Sequence, residues 1–183
     1  MNYYGAKELA NSFRTVRKNT IQTAEDIPED QYGFTPAEGS RSIARSLVHI
    51  ALSPQLHLEI HAGERRTSFE GLDFPALMKR LGEEEARERT KVQVVDLLKT
   101  EGETWASFLE AVSEDFLAEA FTMPPGATPA TKSRLEMLLS IKEHEMHHRA
   151  QLMVAQRLLG IVPHLTRLRQ EHAARAQPAS SGS

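Results

Sequence analysis

The histidines of the segment EHEMHHRAQL, residues 143–152, are the side chains whose spacing most clearly predicts chemistry. His144 and His148 are four residues apart, so on a helix both rings project from one face and can share a metal ion. Together with Glu145 they also read H-E-x-x-H, the zinc-binding and catalytic string of many metalloproteases. The segment therefore predicts a protease centre, another kind of metal site, or a bundle helix whose histidines hydrogen-bond internally.

The protease interpretation needs features that the rest of the sequence does not offer. The extended zincin motif places a glycine and a third histidine after His148, where this chain continues Arg-Ala-Gln. Glu171 lies in a polar segment, and no strand is evident that could hold an extended peptide. We therefore disfavour a protease, and we expect Glu143 and Glu145 to point elsewhere on the helix, so that neither is the base.

A third metal ligand is expected from another helix, on a face that is otherwise apolar. His49 fits this description, because it stands inside ARSLVHIALS with apolar residues on both sides. A lone histidine in that setting is more often a hydrogen-bonded core residue, but beside His144 and His148 the metal interpretation is favoured. Three histidines plus water would give an open coordination site of the catalytic type.

The remaining histidines have less specific surroundings. His147 lies about 100° around the helix from His148 and is expected to be partly exposed, or to support the site without ligating. His57 and His61 form another pair four apart, near a helix C-terminus where a cationic ring interacts well with the helix dipole. That pair lacks an apolar surround, so we disfavour metal binding there. His164 and His172 are expected on the surface.

Composition limits the function classes that remain. The chain has 183 residues, 40% of them hydrophobic, a net charge of −3 and no cysteine, which excludes disulfides, thiolate nucleophiles and sulfur-bound zinc. No basic stripe supports nucleic-acid binding. No run of about 18 apolar residues predicts a membrane span, and the N-terminus lacks the apolar core of a secretory signal. The default expectation is a cytoplasmic globular protein.

Helical periodicity dominates the chain, and strand signals are nearly absent. Apolar spacing predicts four long helices, at about residues 3–24, 42–61, 91–112 and 132–159. Pro54 is expected to kink the second, and Gly102 to weaken the third by about 1 kcal/mol. A short charged helix is expected over residues 74–89, with its Glu and Arg side chains on a solvated face.

Four long amphipathic helices without strands predict an all-α fold, a four-helix bundle. The connection of about 30 residues between the second and third long helices can cross the bundle end, which permits an up-down-down-up arrangement. We expect one domain over residues 1–165 and a C-terminal tail, residues 166–183, that begins as a short helix and is partly disordered.

Two segments together resemble the DinB family of DinB/YfiT-like metalloenzymes, over roughly residues 5–160. One is GFTPAEGSRSIARSLVHIA, where the family has a turn, a Pro/Gly loop and a helix with a histidine. The other is KEHEMHHRAQL, similar to the family pattern H-x-x-x-H-R-G-Q-[LM]. The family's metal histidines fall on His49, His144 and His148. Gln151 matches the glutamine of the pattern, while Ala150 replaces its usual glycine, which should alter packing rather than ligation.

The resemblance implies a four-helix bundle, usually homodimeric, with nickel or zinc at the three-histidine site. Some members are transferases or isomerases that depend on low-molecular-weight thiols such as bacillithiol or mycothiol, and others are called hydrolases. Our leading hypothesis is accordingly a metal-dependent transferase or hydrolase for a small molecule. The ion would lower the pKa of a water or a substrate thiol.

Three further side chains are expected to contact the substrate. Arg149 and Gln151 follow the histidine pair on the same helix, and Arg45 stands one turn before His49, where it could bind an anionic group. Two alternatives remain open from the sequence. One is a stress-induced metal-binding protein without turnover, and the other is a plain helical dimer whose histidines hydrogen-bond internally.

Overall fold

Helices make up most of residues 4–176, the part of the chain that the computed structural model describes. Residue 3, where the first helix was expected to begin, and residues 177–183 of the expected tail lie outside that part. The helices are α1 (Ala6–Asp26), α2 (Ile43–His57), α3 (Phe74–Ala86), α4 (Lys91–Ala111), α5 (Glu114–Ala118), α6 (Arg134–Leu158) and α7 (His164–Ala176).

Local signals set the ends of the long helices. The side chain of Ser42 caps α2 by accepting the Arg45 N–H at 3.3 Å. Ser133 and Glu136 form a reciprocal capping box at the start of α6. Gly160, with φ of +75°, follows the end of α6 in the left-handed conformation that glycine tolerates best.

The four long helices form a bundle in which α1 and α2 lie diagonally opposite, each packed between α4 and α6. Lys91 at the start of α4 contacts the end of α1, so these helices are antiparallel. Gln156 near the end of α6 donates to Thr23 near the end of α1, so those two are parallel. Ile43 at the start of α2 shares a cavity wall with Leu152 and Ala155 near the end of α6, so α2 runs antiparallel to α6 and the order is up-down-down-up. The predicted four-helix bundle is confirmed.

Two features differ from the sequence-based expectation, and a third agrees with it. The ends of the loop before α6 pair as a short antiparallel hairpin, β1 (Ala120–Thr122) with β2 (Thr131–Ser133), although no strand was predicted. The end of α2 widens into a π-helical turn, Leu58–Gly63. The short helix that was expected at the start of the C-terminal segment is α7, in which Arg167 bonds to Asp26 of α1. Pairing and tertiary packing therefore order segments whose local pattern is weak.

A buried ion pair joins the four bundle helices at mid-height. Arg17 of α1 binds Glu145 of α6, with Nη2 2.9 Å from Oε2, and both side chains are almost fully buried. Arg17 also donates to the carbonyls of Leu98 in α4 and Ile50 in α2. The Ile50 carbonyl has no helical donor, because Pro54 lacks an N–H. The Ser53 hydroxyl, at 2.9 Å, and the Arg17 guanidinium, at 3.3 Å, together satisfy the carbonyl that the proline leaves without its helical donor.

The buried side chain of Arg17 also requires a glycine at position 102 of α4. A Cβ at this position would lie 2.7 Å from Cγ of Arg17, too close for an ordinary contact. The glycine in α4, predicted only as a weak point, therefore makes room for the arginine. Apolar clusters lie above and below the ion pair, one including Leu47, Leu98 and Leu152 and the other Phe13, Trp105 and Leu138.

None of the helices between residues 4 and 176 combines the length and the apolar character that crossing a membrane would require.

Candidate metal centre

His49 of α2 meets His144 and His148 of α6 on the open side of the bundle. The Nε2 atom of His144 lies 3.1 Å from that of His49 and 3.2 Å from that of His148. The ligating nitrogens of the three half-buried rings all lie within 4.8 Å of one another. Antiparallel packing of α2 on α6 thus brings together residues about a hundred positions apart, in the grouping that the sequence predicted.

Hydrogen bonds to the outer nitrogens define the tautomers of two of these rings. His49 Nδ1 lies 3.0 Å from a carboxylate oxygen of Glu85, and His148 Nδ1 lies 3.0 Å from Oε1 of Gln151. Both partners are acceptors, so each ring carries its proton on Nδ1 and presents the Nε2 lone pair to the other histidines. Two lone pairs that converge on the Nε2 of His144 suit a cation at this point.

The donor set fits a divalent transition metal. Imidazole nitrogens bind zinc at about 2.0–2.1 Å, so two ligands of a tetrahedral site stand about 3.3 Å apart. Two of the three separations, 3.1 and 3.2 Å, are close to this value, and the third is within 4.8 Å. Three histidines also leave a coordination position open for a substrate.

Burial keeps the three rings in the neutral form that ligation requires. Desolvation, aided by neighbouring His148 and His49, lowers the pKa of His144 to about 4. Burial also lowers the pKa of His49, with a further contribution from the Arg41 charge and partial opposition from Glu85. Burial lowers the pKa of His148 as well, against the Gln151 hydrogen bond. At neutral pH the rings are therefore available as ligands.

Glu85 is the part of the site that the sequence analysis missed. It was assigned to the solvated face of α3, yet its side chain is only 10% exposed. Arg41 Nε donates to it at 2.7 Å, and Arg45 lies 3.6 Å away. Burial raises the pKa of the Glu85 carboxyl, but the bonds from Arg41 and His49 outweigh it, and the net pKa is lowered. Leu77 and Leu81 precede Glu85 at steps of four, and this spacing was the available signal.

The three residues that were predicted to contact the substrate differ in their exposure and in their distance from the histidine cluster. Arg45 is largely exposed beside the histidines, where an anion could reach it. Gln151 bridges His148 and the exposed His147, so its amide supports a ligand ring. Arg149 is buried on the far side of α6, where it donates to the carbonyl of Val16 in α1 at 3.0 Å. The position of Arg149 gives no support to a role in substrate binding.

Several histidines outside the cluster are more buried than expected. His61 is fully buried and His57 is 9% exposed, and their rings stack at 5.5 Å. The expectation that this pair lacks an apolar surround is therefore wrong, because Trp105 and Phe121 pack against it. Arg134 Nη1 donates to His61 Nδ1 at 2.8 Å. His164, expected on the surface, is buried against α1 near Asn19, whereas His172 is exposed. The sequence could not show that the π-helical turn directs His61 inward.

Glu145, the glutamate of the H-E-x-x-H string, lies away from the metal site. Its carboxylate is fully buried in the ion pair with Arg17, on the face of α6 that lies away from the histidine cluster. As expected, it is not positioned to act as a base at the metal site. Glu145 instead has a structural role, because its ion pair with Arg17 joins helices at the centre of the bundle.

Two cavities open on either side of the histidines. One, of about 710 Å³, is lined by polar and apolar side chains that include His148 and Gln151. The other, of about 580 Å³, is mostly apolar and is lined by His49 and His144. Arg41, Arg45 and Glu85 border both. Small molecules can therefore approach the cluster from two chemically different sides.

The fold and the site together define a helical-bundle protein with a three-histidine cluster between two of its helices. Residues 12–152 match the family model of the DinB superfamily, and the chain belongs to that superfamily. The YjoA protein of Bacillus subtilis strain 168, an uncharacterized protein, is 25% identical over 155 residues, which span 85% of this chain and 91% of YjoA.

Solved structures agree with this assignment. The crystal structure of the DinB-like protein YjoA from Bacillus subtilis matches with a TM-score of 0.59 and 27% identity, over 84% of this chain and 92% of YjoA. YfiT from Bacillus subtilis matches with a TM-score of 0.66 and 15% identity, over 88% and 91% of the two chains. YfiT is described as a probable metal-dependent hydrolase with an unusual four-helix bundle topology. At that identity the likeness to YfiT shows the fold alone.

Proposed function

We propose that this protein is a metal-dependent enzyme for small molecules, a hydrolase or a thiol-dependent S-transferase, with nickel or zinc held by His49, His144 and His148. The observation that carries the proposal is the pair of fixed tautomers, which directs the Nε2 lone pairs of His49 and His148 toward the Nε2 of His144. Buried and half-buried polar atoms need partners, and a cation supplies one partner for all three.

Different residues of the chain orient the metal ligands, bind the substrate and keep the supporting carboxylate ionised. Glu85 and Gln151 hold the outer nitrogens of two ligand rings, and such support raises both ligand basicity and metal affinity. When bound, a divalent ion supplies Lewis acidity, which brings the pKa of a water or a thiol close to neutrality. Arg45, exposed at the cluster, binds an anionic group of the substrate. Arg41 keeps Glu85 ionised.

The description of YfiT as a probable metal-dependent hydrolase supports the hydrolase form of the proposal. The family resemblance supports the other form, in which the partner is a low-molecular-weight thiol, and it also supports a homodimer. Both forms require the same histidine cluster and the same open coordination position.

Two assays on metal-loaded protein test the proposal. Hydrolysis of p-nitrophenyl acetate and conjugation of a low-molecular-weight thiol to monochlorobimane are followed with nickel and with zinc. We expect turnover in one assay, loss of that turnover in His148→Ala, and retention in the matched variant His147→Ala, because His147 is exposed and outside the cluster. Equal rates in the wild-type protein and His148→Ala would contradict enzymatic use of the site.

A further inference from the structure

The apolar cavity beside the histidines is continuous with the metal site. His49 and His144 line one end of it, and its volume of about 580 Å³ falls within the usual range for small-molecule sites. Apolar side chains from three helices form most of the wall: Leu52, Leu56, Phe74, Met78, Leu81 and Ile141. A molecule whose reacting group reached the histidines would therefore extend an apolar portion along this cavity.

One face of α3 supplies both the support of the metal site and the cavity wall. Phe74, Met78, Leu81, Gly82 and Glu85 follow one another at helical spacing and all line the cavity. Glu85 at one end of this stripe holds His49. Phe74 and Met78 at the other end are 45% and 43% exposed, more than large apolar side chains with a filled neighbouring space would be.

Gly82 keeps the middle of the stripe open. A Cβ at this position would meet no atom within 4 Å, and the glycine does not have a positive φ, so its backbone conformation suits any residue. The glycine is therefore not needed for folding of α3, where a residue with a side chain would form a better helix. Its effect is to leave space between Met78 and Glu85.

We propose that this cavity, which we call the α3 groove, binds an unbranched alkyl or an aryl group of the substrate, while the reacting group lies at the histidine cluster. The inference rests on the proposed function and adds the substrate class: a small molecule with an apolar arm. Phe74 and Met78 contact the far part of that arm, and Gly82 sets the width available to it. Arg41 and Arg45 at the rim, which also border the more polar cavity, suit a negative charge next to the reacting group.

Straight-chain hydroxamic acids test the groove, because the hydroxamate group chelates zinc while the alkyl chain can be lengthened. Acetohydroxamate and hexanohydroxamate are titrated calorimetrically into the zinc-loaded full chain. Each methylene that leaves water for the groove should raise affinity by about two- to fourfold, so the longer probe should bind more than tenfold tighter. The variant Gly82→Leu fills the groove without weakening α3 and should reduce this ratio toward one.

The matched control is Glu83→Leu, which places the same side chain at the next, exposed position of α3, outside the groove lining. It should retain the wild-type ratio. The groove proposal is overturned if the two hydroxamates bind the wild-type protein with similar affinity. It is also overturned if Gly82→Leu shows the same affinity ratio as the wild-type protein. A third result would also overturn it: sedimentation that shows a dimer for the wild-type protein and a monomer for Gly82→Leu, because a second copy of the chain would then fill the cavity.

Failure of the proposed function gives a different result. If acetohydroxamate binds the zinc-loaded protein no better than the metal-free protein, the metal site itself is wrong, and the groove proposal fails with it. If acetohydroxamate binds only when zinc is present but chain length has no effect, the metal site stands and only the groove proposal is overturned.

Discussion

Glu85 on α3 accepts a hydrogen bond from Nδ1 of His49 on α2 at 3.0 Å. This bond links α3, the helix in the connection between α2 and α4, to the histidine cluster. Neighbouring contacts keep α3 in place: Asp73 caps its first turn, and Arg80 pairs with Glu59 of the π-helical turn. The connection that lets the bundle adopt its up-down-down-up order thus also carries the carboxylate that orients a metal ligand. Fold and site are joined through one side chain.

The first prediction concerns this carboxylate. Replacing Glu85 with Ala should lower zinc affinity by about 10- to 100-fold, since the His49 ring would lose the acceptor that fixes its tautomer. Competition with a chromophoric chelator at pH 7.5 measures the change. Glu83→Ala, an exposed position on the same helix, should bind zinc as the wild-type protein does. Unchanged affinity in Glu85→Ala would show that the hydrogen bond does not support ligation.

The second prediction concerns the ion pair at mid-height. Arg17→Met leaves the Glu145 carboxylate buried without its partner, which should lower the free energy of unfolding by about 3–5 kcal/mol. The double variant Arg17→Met/Glu145→Leu removes both charges and should be more stable than Arg17→Met alone. Urea denaturation of the single and double variants measures the coupling. Strictly additive losses would contradict the ion pair as described.

Two glycines in helices should respond in opposite directions to the same substitution. Gly102→Ala places a Cβ against Arg17 and should destabilise the protein by about 1–3 kcal/mol despite the better helix propensity of alanine. Gly82→Ala meets no atom and should stabilise it by about 0.5–1 kcal/mol. Thermal unfolding of the two variants compares them directly. A stabilising Gly102→Ala would mean that Arg17 does not occupy the position found.

The fourth prediction concerns acid stability of the metal-free protein. Burial lowers the pKa of His57 to about 4, and burial, aided by His57 and Arg134, lowers that of His61 to about 3. The unfolded chain, with histidine pKa values near 6.5, binds these protons first as pH falls. Stability contributed by the neutral rings is therefore present above about pH 6.5 and is lost progressively toward pH 4.

His57→Leu isolates one part of this effect, since His57 is stacked on His61 and packed near Trp105. The free energy of unfolding of the variant should fall less steeply between pH 6.5 and 5 than that of the wild-type protein. Urea unfolding in the presence of a chelator, at half-unit pH intervals, measures both slopes. Identical slopes would show that His57 can be protonated inside the folded protein.

Much of the fold and the centre of the site could be predicted from the sequence because both depend on helical periodicity. The same spacing that placed apolar residues on one face placed His144 and His148 together, and His49 stood out as a polar residue on an apolar face. The length of one connection permitted the up-down-down-up order without requiring it. These features are local, or follow from chain length.

The features that were missed depend on tertiary contacts. Glu85 lies in a run of charges, where its spacing from Leu77 and Leu81 is the only local signal and its role depends on Arg41 and His49. The inward turn of His61 comes from the π-helical segment, and the need for Gly102 comes from Arg17, 85 positions earlier in the chain. Pairing of β1 with β2 joins segments too short to show a strand pattern.

Metal stoichiometry of the purified protein tests the central claim most directly. The wild-type chain and the variants His49→Ala, His144→Ala and His148→Ala are loaded with zinc or nickel, dialysed and measured by inductively coupled plasma mass spectrometry. His147→Ala is the matched control. We predict about one ion per chain in the wild-type protein and in the control, and strong loss in each of the three cluster variants. Equal metal content in all five proteins would contradict a metal site at the three histidines.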